Sequence, residues 1–273
     1  MTIIAATDYS EIAENAVEYA AAVAKFVKAK LVLLNDLTLT VSTSNSQLPA
    51  HRIDELVGEN ATRLSEKASS LSKRYGIEVS TKATFSFVVG ELKTLLSEHP
   101  YDLIVMGMAD KSLEQDLWGN TTTSVIKKLN SPVLAVPAGA RFEGIKKILF
   151  ACDLLHGVSA DLLDRVRTIA LDNHAEVEVL LINETVEELK KKGANRDALK
   201  DIEGGLNGIE YYYKNIKSDS VIEALKNEVE RSGADLLVMA PQKHGFWDAV
   251  VHQSKTRKMA AGLDIPLLSI PIS

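Results

Sequence analysis

The sequence predicts an α/β fold that is built twice along one chain, each copy a sandwich of helices around a mostly parallel sheet of five strands. Short apolar runs that suit buried strands alternate with amphipathic stretches of helical period, and such strands are joined by right-handed crossovers into parallel sheets. The pattern then recurs: YDLIVMGMADKS returns as ADLLVMAPQKHG, and SPVLAVP returns as IPLLSIP. A repeat of this length indicates two copies of one module.

Length and composition fit two soluble globular domains, which we place at residues 1–140 and 145–273. The chain has 273 residues, 46% of them hydrophobic and 25% charged, and a formal net charge of −6. The acidic balance disfavours nucleic-acid binding, which needs a basic surface. The one cysteine, Cys152, excludes an intrachain disulfide, and we find no basic leader and no long apolar stretch. We therefore expect a cytoplasmic protein without a membrane segment.

The first module contains five predicted strands and four predicted helices. Ser10 and two early acidic residues favour a helix start directly after the first strand. Gly76 is a suitable end for the second helix, and Gly107 is expected to end the fourth strand. A polar loop then leads to a helix capped by Asn120 or Thr121. The predicted strands are 3–6, 31–34, 77–85, 103–106 and 133–136, and the predicted helices are 11–27, 54–75, 88–99 and 121–129.

The second module repeats this order after a linker at 139–144. Its second helix falls in a charged stretch that is shorter than its counterpart, and this helix is therefore the weakest predicted element. The third strand carries Tyr211, Tyr212 and Tyr213, which should alternate between the two faces. The predicted strands are 148–151, 177–182, 209–214, 236–239 and 267–270, and the predicted helices are 159–171, 185–205 and 220–232.

This arrangement resembles that of tandem universal stress proteins over essentially the whole chain. The resemblance is carried by TDYS after the first strand, DLIVMG at the fourth and GN…SPVLAVP at the end, with CDLL, DLLVMA and QS…IPLLSIP as counterparts. It implies two flavodoxin-like or Rossmann-like sandwiches, arranged as a tandem pseudo-dimer. It also implies a role in stress survival and, in some members, binding of ATP or AMP at the carboxyl ends of the strands, where open α/β sheets usually bind ligands.

The resemblance also assigns candidate binding residues in module one. In nucleotide-binding members the loop resembles Gly-x-x-Gly-x9-Gly followed by Ser or Thr, and its glycines let the backbone approach phosphates at a helix N-terminus. Gly107 and Gly119 match two of these glycines, but Asp110 replaces the one between them. Asn120, followed by Thr121, stands where Ser or Thr is usual. Module one thus keeps only part of the loop.

Module two keeps the loop spacing but not the glycines. Lys243 stands at the second glycine position, and Ser254 follows the place of the third. By position, Asp8 in module one and Asp153 in module two match the Asp that contacts adenine in the family. The alternative for both is a helix-capping or turn residue. ATP and AMP are therefore candidate cofactors only.

The last strand of each module is apolar and bounded by prolines. An exposed apolar strand edge is a liability, because it offers unpaired backbone groups to other chains. In the family such strands resemble dimerisation strands that pair antiparallel across a two-fold axis. We therefore expect 133–136 to pair with 267–270 within this chain, and we leave open whether such monomers form a homodimer.

We interpret the chain as a stress-response binding or regulatory module with degenerate nucleotide-binding loops, and not as an enzyme. We find no paired general acid and base, no complete metal set and no nucleophile beside a base. The alternative is a functional ATP- or AMP-binding member with slow or no hydrolysis. A scaffold without a ligand is a further alternative. An adenine-nucleotide α-hydrolase is disfavoured, since it needs a Ser/Gly-rich loop after the first strand.

The loop charges predict how the two crevices differ. The carboxylate of Asp110 stands where phosphates would lie, and two like charges 4 Å apart repel by about 1 kcal/mol in water and about 4 kcal/mol at an effective dielectric of 20. We therefore expect module one to reject ATP. Module two, with Lys243 and Ser254, should hold at most a small anion or a weakly bound adenine nucleotide.

Overall fold

A single sheet of ten strands runs through the described part of the protein. The computed structural model describes residues 1–36, 50–84, 88–98, 101–108, 120–152, 158–183, 193–241 and 263–271. Within these residues the strands are β1 (Thr2–Thr7), β2 (Lys30–Asp36), β3 (Val79–Thr84), β4 (Leu103–Met108), β5 (Val133–Pro137), β6 (Lys147–Ala151), β7 (Glu176–Ile182), β8 (Tyr211–Ile216), β9 (Leu236–Met239) and β10 (Leu267–Ser269). The helices are α1 (Glu11–Phe26), α2 (Ala50–Tyr75), α3 (Val88–Glu98), α4 (Asn120–Lys128), α5 (Ala160–Asn173), α6 (Gly193–Gly205) and α7 (Val221–Ser232).

The strand order is β3-β2-β1-β4-β5-β10-β9-β6-β7-β8, so the same five-strand order occurs twice and is inverted about the centre. Neighbours within each half are parallel. The halves meet at β5 and β10, which pair antiparallel with Leu134 opposite Leu268 and Ala135 opposite Leu267. The predicted α/β fold and the predicted pairing of the two last strands are therefore confirmed.

The inner strands of the sheet are buried on both faces because helices cover both of its sides, which is usual for parallel sheets. Ile3 and Ala5 of β1 join the core under α1 and α2, whereas Ile4 and Ala6 join the core under α3 and α4. In the second half α5 and α6 lie on the first of these sides and α7 on the second. Each core therefore contains residues of both modules.

Serine caps begin three of the helices. Ser10 Oγ accepts a hydrogen bond from the Ala13 N–H at 3.3 Å, as predicted. Ser159 and Ser220 cap α5 and α7 through bonds of the same length. Such caps satisfy backbone donors that the helix leaves unpaired. Among the described helices, none combines the length and apolar character needed to cross a bilayer.

Two element ends differ from the prediction near the candidate site. β4 continues to Met108, because its pairing with β5 runs as far as Met108 opposite Pro137, and Gly107 therefore lies inside the strand instead of ending it. Asn120 is already the first residue of α4. Since a cap residue stands outside the helical backbone, neither Asn120 nor Thr121 is the cap, and that position falls outside the described residues.

Candidate functional site

The candidate site of module one lies where the strand order reverses. β1 and β4 are parallel neighbours, with Ile3 opposite Leu103 and Ala5 opposite Val105. The chain leaves β1 toward β2 on one side and continues from β4 to β5 on the other. Ligands of open α/β sheets bind outside the carboxyl ends of the strands at such a reversal. Asp8 directly follows β1 at this edge, close to the end of β4.

Asp8 is exposed and forms a turn that leads into α1. Its Oδ1 accepts a hydrogen bond from the Ser10 N–H at 2.9 Å. This is the Asx-turn geometry that Asp adopts before a helix, so the predicted turn role is confirmed for one carboxylate oxygen. The hydrogen bonds found among the described residues do not use Oδ2 of Asp8, and the residue is exposed where β1 ends.

A buried polar network behind Asp8 joins the ends of β1 and β2 to α2. Asn35 Nδ2 donates to the Thr7 carbonyl oxygen at 2.7 Å, and Asn35 Oδ1 accepts from Asn60 Nδ2 at 2.8 Å. The Tyr9 hydroxyl donates to Asn60 Oδ1 at 2.9 Å. Thr7, Asn35 and Asn60 are all buried. The sequence prediction did not include this network, and its one signal was an asparagine, Asn35, at the end of an apolar strand.

Tyr9 is held in a conformation that few aromatic residues adopt. Its φ of 63° lies in the left-handed region, and its N–H donates to Thr7 Oγ1 at 3.0 Å. The Arg63 guanidinium lies 3.7 Å from the ring centroid, within cation–π range. Burial raises the pKa of Tyr9, and the charge of Arg63 opposes this increase. Thr7 Oγ1 also donates to Glu14, which pairs with Lys67, so the wall behind Asp8 is tied to both α1 and α2.

Gly107 is a glycine because α1 presses against β4. A methyl group built at this position would lie 2.8 Å from Ile12 Cγ2 and 3.1 Å from the Ile12 backbone carbonyl carbon and oxygen. On its other side, the Gly107 carbonyl oxygen accepts from Thr122 Oγ1 of α4 at 2.9 Å. Packing alone therefore accounts for the glycine.

The other predicted site residues fall into two groups. Thr121 is exposed in the first turn of α4, beside the Thr122 that bonds to Gly107, and Asn120 begins that helix. The structure thus brings Asp8, Gly107 and Thr121 to one edge of the sheet. The remaining predicted residues lie outside the described part of the chain: Asp110, Gly119, Asp153, Lys243 and Ser254.

The corresponding edge of module two is built differently. Ala151 of β6 lies opposite Met239 of β9, and Ala240 follows where module one has Gly107. Ser10 caps α1 three residues after Thr7, whereas Ser159 caps α5 seven residues after Cys152. A longer connection into the helix is compatible with a methyl group at Ala240. Cys152 is buried, as expected for a small core residue.

The described residues contain no cluster of three or more His, Cys, Asp or Glu side chains that could hold a metal ion. Glu14 and Asp8, the acidic residues nearest to the end of β1, are instead engaged with Lys67 and with the Ser10 amide.

Known proteins share this fold. The model of the universal stress protein family matches residues 1–137. The chain belongs to the universal stress protein family. Universal stress proteins MJ0531 and MJ0577 of Methanocaldococcus jannaschii are 27% and 29% identical to it over 139 and 155 residues. Each match covers 49% of this chain, and the matches cover 80% and 93% of the two relatives, so each relative corresponds to about one half of the chain.

Solved structures of universal stress proteins match both halves at once. One from Archaeoglobus fulgidus has a TM-score of 0.73 at 17% identity and covers 99% of this chain and 98% of its own. A putative universal stress protein from Pseudomonas aeruginosa has a TM-score of 0.60 at 15% identity, covering 99% and 92%. At these identities the similarity shows the fold alone, which is the tandem α/β architecture.

Proposed function

We propose that this universal stress protein is a ligand-binding regulatory module and not a hydrolase, and that the crevice of module one accepts an adenosine-like ligand without a triphosphate. The observation that carries the proposal is the geometry of Asp8. One carboxylate oxygen is fixed by the Ser10 amide, the other has no hydrogen bond among the described residues, and Asp8 is exposed directly after β1, the neighbour of β4. A carboxylate held in this way is an acceptor for a donor such as an adenine amino group.

The surrounding groups support binding more than catalysis. Thr7 and Lys67 each bond to Glu14, and Thr122 bonds to the Gly107 carbonyl oxygen. Hydrolysis would need a general base within hydrogen-bonding reach of a nucleophile or water, and these groups already have partners. By sequence, Asp110 adds a negative charge where phosphates would lie.

Calorimetric titration with adenosine, AMP and ATP tests the proposal. We expect wild type to bind adenosine more tightly than ATP. Asp8→Asn should weaken adenosine binding by about 10- to 150-fold, because a hydrogen bond to a charged group contributes about 1.5–3 kcal/mol. Asn can still accept from the Ser10 amide, so the turn is retained. Asp110→Gly should raise the affinity for ATP.

Glu11→Gln is the matched control, because Glu11 is also exposed and acidic in the first turn of α1, and it should leave binding unchanged. Submillimolar ATP binding by wild type that disappears in Asp8→Asn would overturn the exclusion of triphosphates. ATP turnover of about 1 s⁻¹ or more that depends on Asp8 would establish an enzyme. Absence of adenosine binding would favour a scaffold.

A further inference from the structure

A second polar cluster lies in the other module, away from the crevice. Glu178 of β7 and Glu228 of α7 have side chains that are 0% and 2% exposed. Buried carboxylates are rare unless they are paired, because burial strongly disfavours the charged form. Glu178 is the acid in the otherwise apolar core of EVEVLLI. Neither residue is needed for the ligand site proposed above.

The two carboxyl groups lie against the same cation. Arg231 Nη2 lies 3.2 Å from Glu178 Oε1 and also contacts Glu228 Oε1, while Arg231 Nε lies 2.8 and 2.9 Å from the two oxygens of Glu228. Because Glu178 Oε1 and Glu228 Oε1 both contact the same nitrogen of Arg231, the two buried carboxyl groups lie beside each other. Two carboxylates that share a buried site repel each other when both are ionised, and a proton on one of them removes this repulsion.

Donors from the neighbouring strands complete the cluster. The Tyr212 hydroxyl donates to Glu178 Oε2 at 2.6 Å, and Lys147 Nζ lies 3.2 Å from the same oxygen. Lys147 also pairs with Glu176 at 3.2 Å. The charged and titratable groups that face the pair are Lys147 from β6, Glu176 from β7, Tyr212 and Lys214 from β8, and Arg231 from α7.

The pKa directions agree with this geometry. Burial and the neighbouring Glu228 raise the pKa of Glu178, against the opposing effects of Tyr212 and Lys147. Burial alone would raise the pKa of Glu228, but its interactions with Arg231 and Glu178 outweigh burial and lower the pKa. Of the pair, Glu178 is therefore the residue that holds a proton more readily, and Glu228 is the one that favours the ionised form beside Arg231.

We propose that Glu178 and Glu228 share one proton, and that this proton stabilises the packing of the edge strand β8 and helix α7 on the sheet. β8 is the last strand in the order, and it pairs with β7 alone. The cluster bridges β6, β7, β8 and α7 at this edge, so loss of the proton places two buried negative charges against each other. Alkaline pH loosens the β8 edge.

The direction of the pH effect follows from linkage. An unfolded Glu has a pKa of about 4.3, so between that pH and the raised pKa of Glu178 the closed state holds a proton that the open state has lost. The opening equilibrium therefore increases about tenfold per pH unit in this window. Glu228 has the opposite sign: its contribution is present above about pH 4.3 and is lost as the pH falls through its lowered pKa.

Hydrogen-exchange mass spectrometry between pH 5.5 and 9 tests whether the shared proton stabilises this packing, with exchange rates converted to protection factors. In wild type, protection of Tyr211–Ile216 and Val221–Ser232 should decrease with pH by about tenfold per unit across the window, while α1 changes little. Glu178→Gln mimics the protonated side chain and should make the protection independent of pH. Glu230→Gln, an exposed acid on the same helix, should behave as wild type.

Equal pH dependence in wild type and Glu178→Gln would overturn the proposal, and so would a flat wild-type profile. If Glu178→Gln does not fold, infrared spectroscopy of the wild type decides. A protonated carboxyl band that persists well above pH 4.3 and resists solvent exchange supports the shared proton, and the absence of such a band contradicts it.

Discussion

Gly107 shows how one residue at the candidate site is determined by packing. The start of α1 crosses β4 so closely that a methyl group on Gly107 would meet both the side chain and the backbone of Ile12. A side-chain rotation of Ile12 could relieve the contact with Cγ2 but not the contacts with its carbonyl carbon and oxygen. A glycine in a nucleotide-binding position can therefore be a requirement of the fold.

This contact predicts the stability of two glycine variants. Gly107→Ala should destabilise the protein by about 1–3 kcal/mol, as overpacking of a close contact does. Gly58→Ala is the matched control, because Gly58 lies within α2 with no atom within 4 Å of the added methyl group. It should stabilise by about 0.8–1 kcal/mol, since Ala favours helix over Gly. Urea denaturation measures both, and an unchanged midpoint for Gly107→Ala would show that α1 does not press on β4.

Single residues of the site were only partly predictable from the sequence. The sequence left two roles open for Asp8, a turn or capping residue and an adenine contact, and the structure shows the turn. The bond between Asn35 and Asn60 joins residues far apart in the chain, and no local pattern specifies it. The Glu178–Glu228 pair was unpredictable for the same reason, because one partner lies on a strand and the other on a helix.

At the scale of elements, α5 and α6 meet at a glycine contact. A methyl group on Gly205 would lie 2.7 Å from Leu163 Cβ and 2.8 Å from Leu163 Cδ1, whereas one on the adjacent Gly204 would meet nothing within 4 Å. Because a Cβ atom cannot rotate away, α6 would have to shift to accommodate a side chain at Gly205. The close approach of the two helices therefore depends on this one position.

The neighbouring glycines provide a matched pair of substitutions. We expect Gly205→Ala to destabilise by about 1–3 kcal/mol and Gly204→Ala to be neutral or stabilising by up to about 1 kcal/mol. Thermal unfolding followed by circular dichroism compares them at the same helix end. Equal effects of the two substitutions would show that α6 does not pack on Leu163.

The type and order of the elements could be predicted because hydrophobic periodicity is local. Their ends could not always be predicted. β4 continues past Gly107 because it pairs with β5 as far as Met108. This end therefore depends on the partner strand and not on the local sequence. Tyr211 and Tyr213 pack together on one face of β8 while Tyr212 bonds to Glu178, so the predicted alternation of the three tyrosines is confirmed.

At the scale of the whole molecule, the antiparallel joint between β5 and β10 determines where the two crevices open. Strands of module one run opposite to those of module two, so the carboxyl edges of the two half-sheets lie on opposite sides of the molecule. Ligands of the two modules would therefore bind far apart. The joint was predictable because both last strands are apolar, so their edges need cover, and because the family resemblance implied that such strands pair antiparallel.

Polar edges complete this arrangement. The outermost strands are β3 and β8, and Ser80, Thr81, Lys82 and Ala83 of β3 are exposed. Charged and polar residues on edge strands discourage pairing with other chains. The apolar strands lie in the middle of the sheet instead, where each module covers the last strand of the other. One chain thus covers both of its apolar last strands by itself, as two separate modules would do by dimerisation.

An engineered disulfide across the joint tests this central claim most directly. Leu134 and Leu268 are opposite residues of an antiparallel pair and belong to the same core, and such Cα atoms lie about 4.5–5.5 Å apart, within the disulfide range. In a Cys152→Ser background, Leu134→Cys with Leu268→Cys should oxidise to an intrachain link in a monomer.

The control combines Leu134→Cys with Leu267→Cys. The side chain of Leu267 points to the opposite face of the sheet from that of Leu134. This pair should remain reduced under the same conditions. Mass spectrometry and non-reducing electrophoresis distinguish the products. The account predicts an intrachain disulfide for the first pair alone, and interchain dimers or no cross-link in that pair would contradict it.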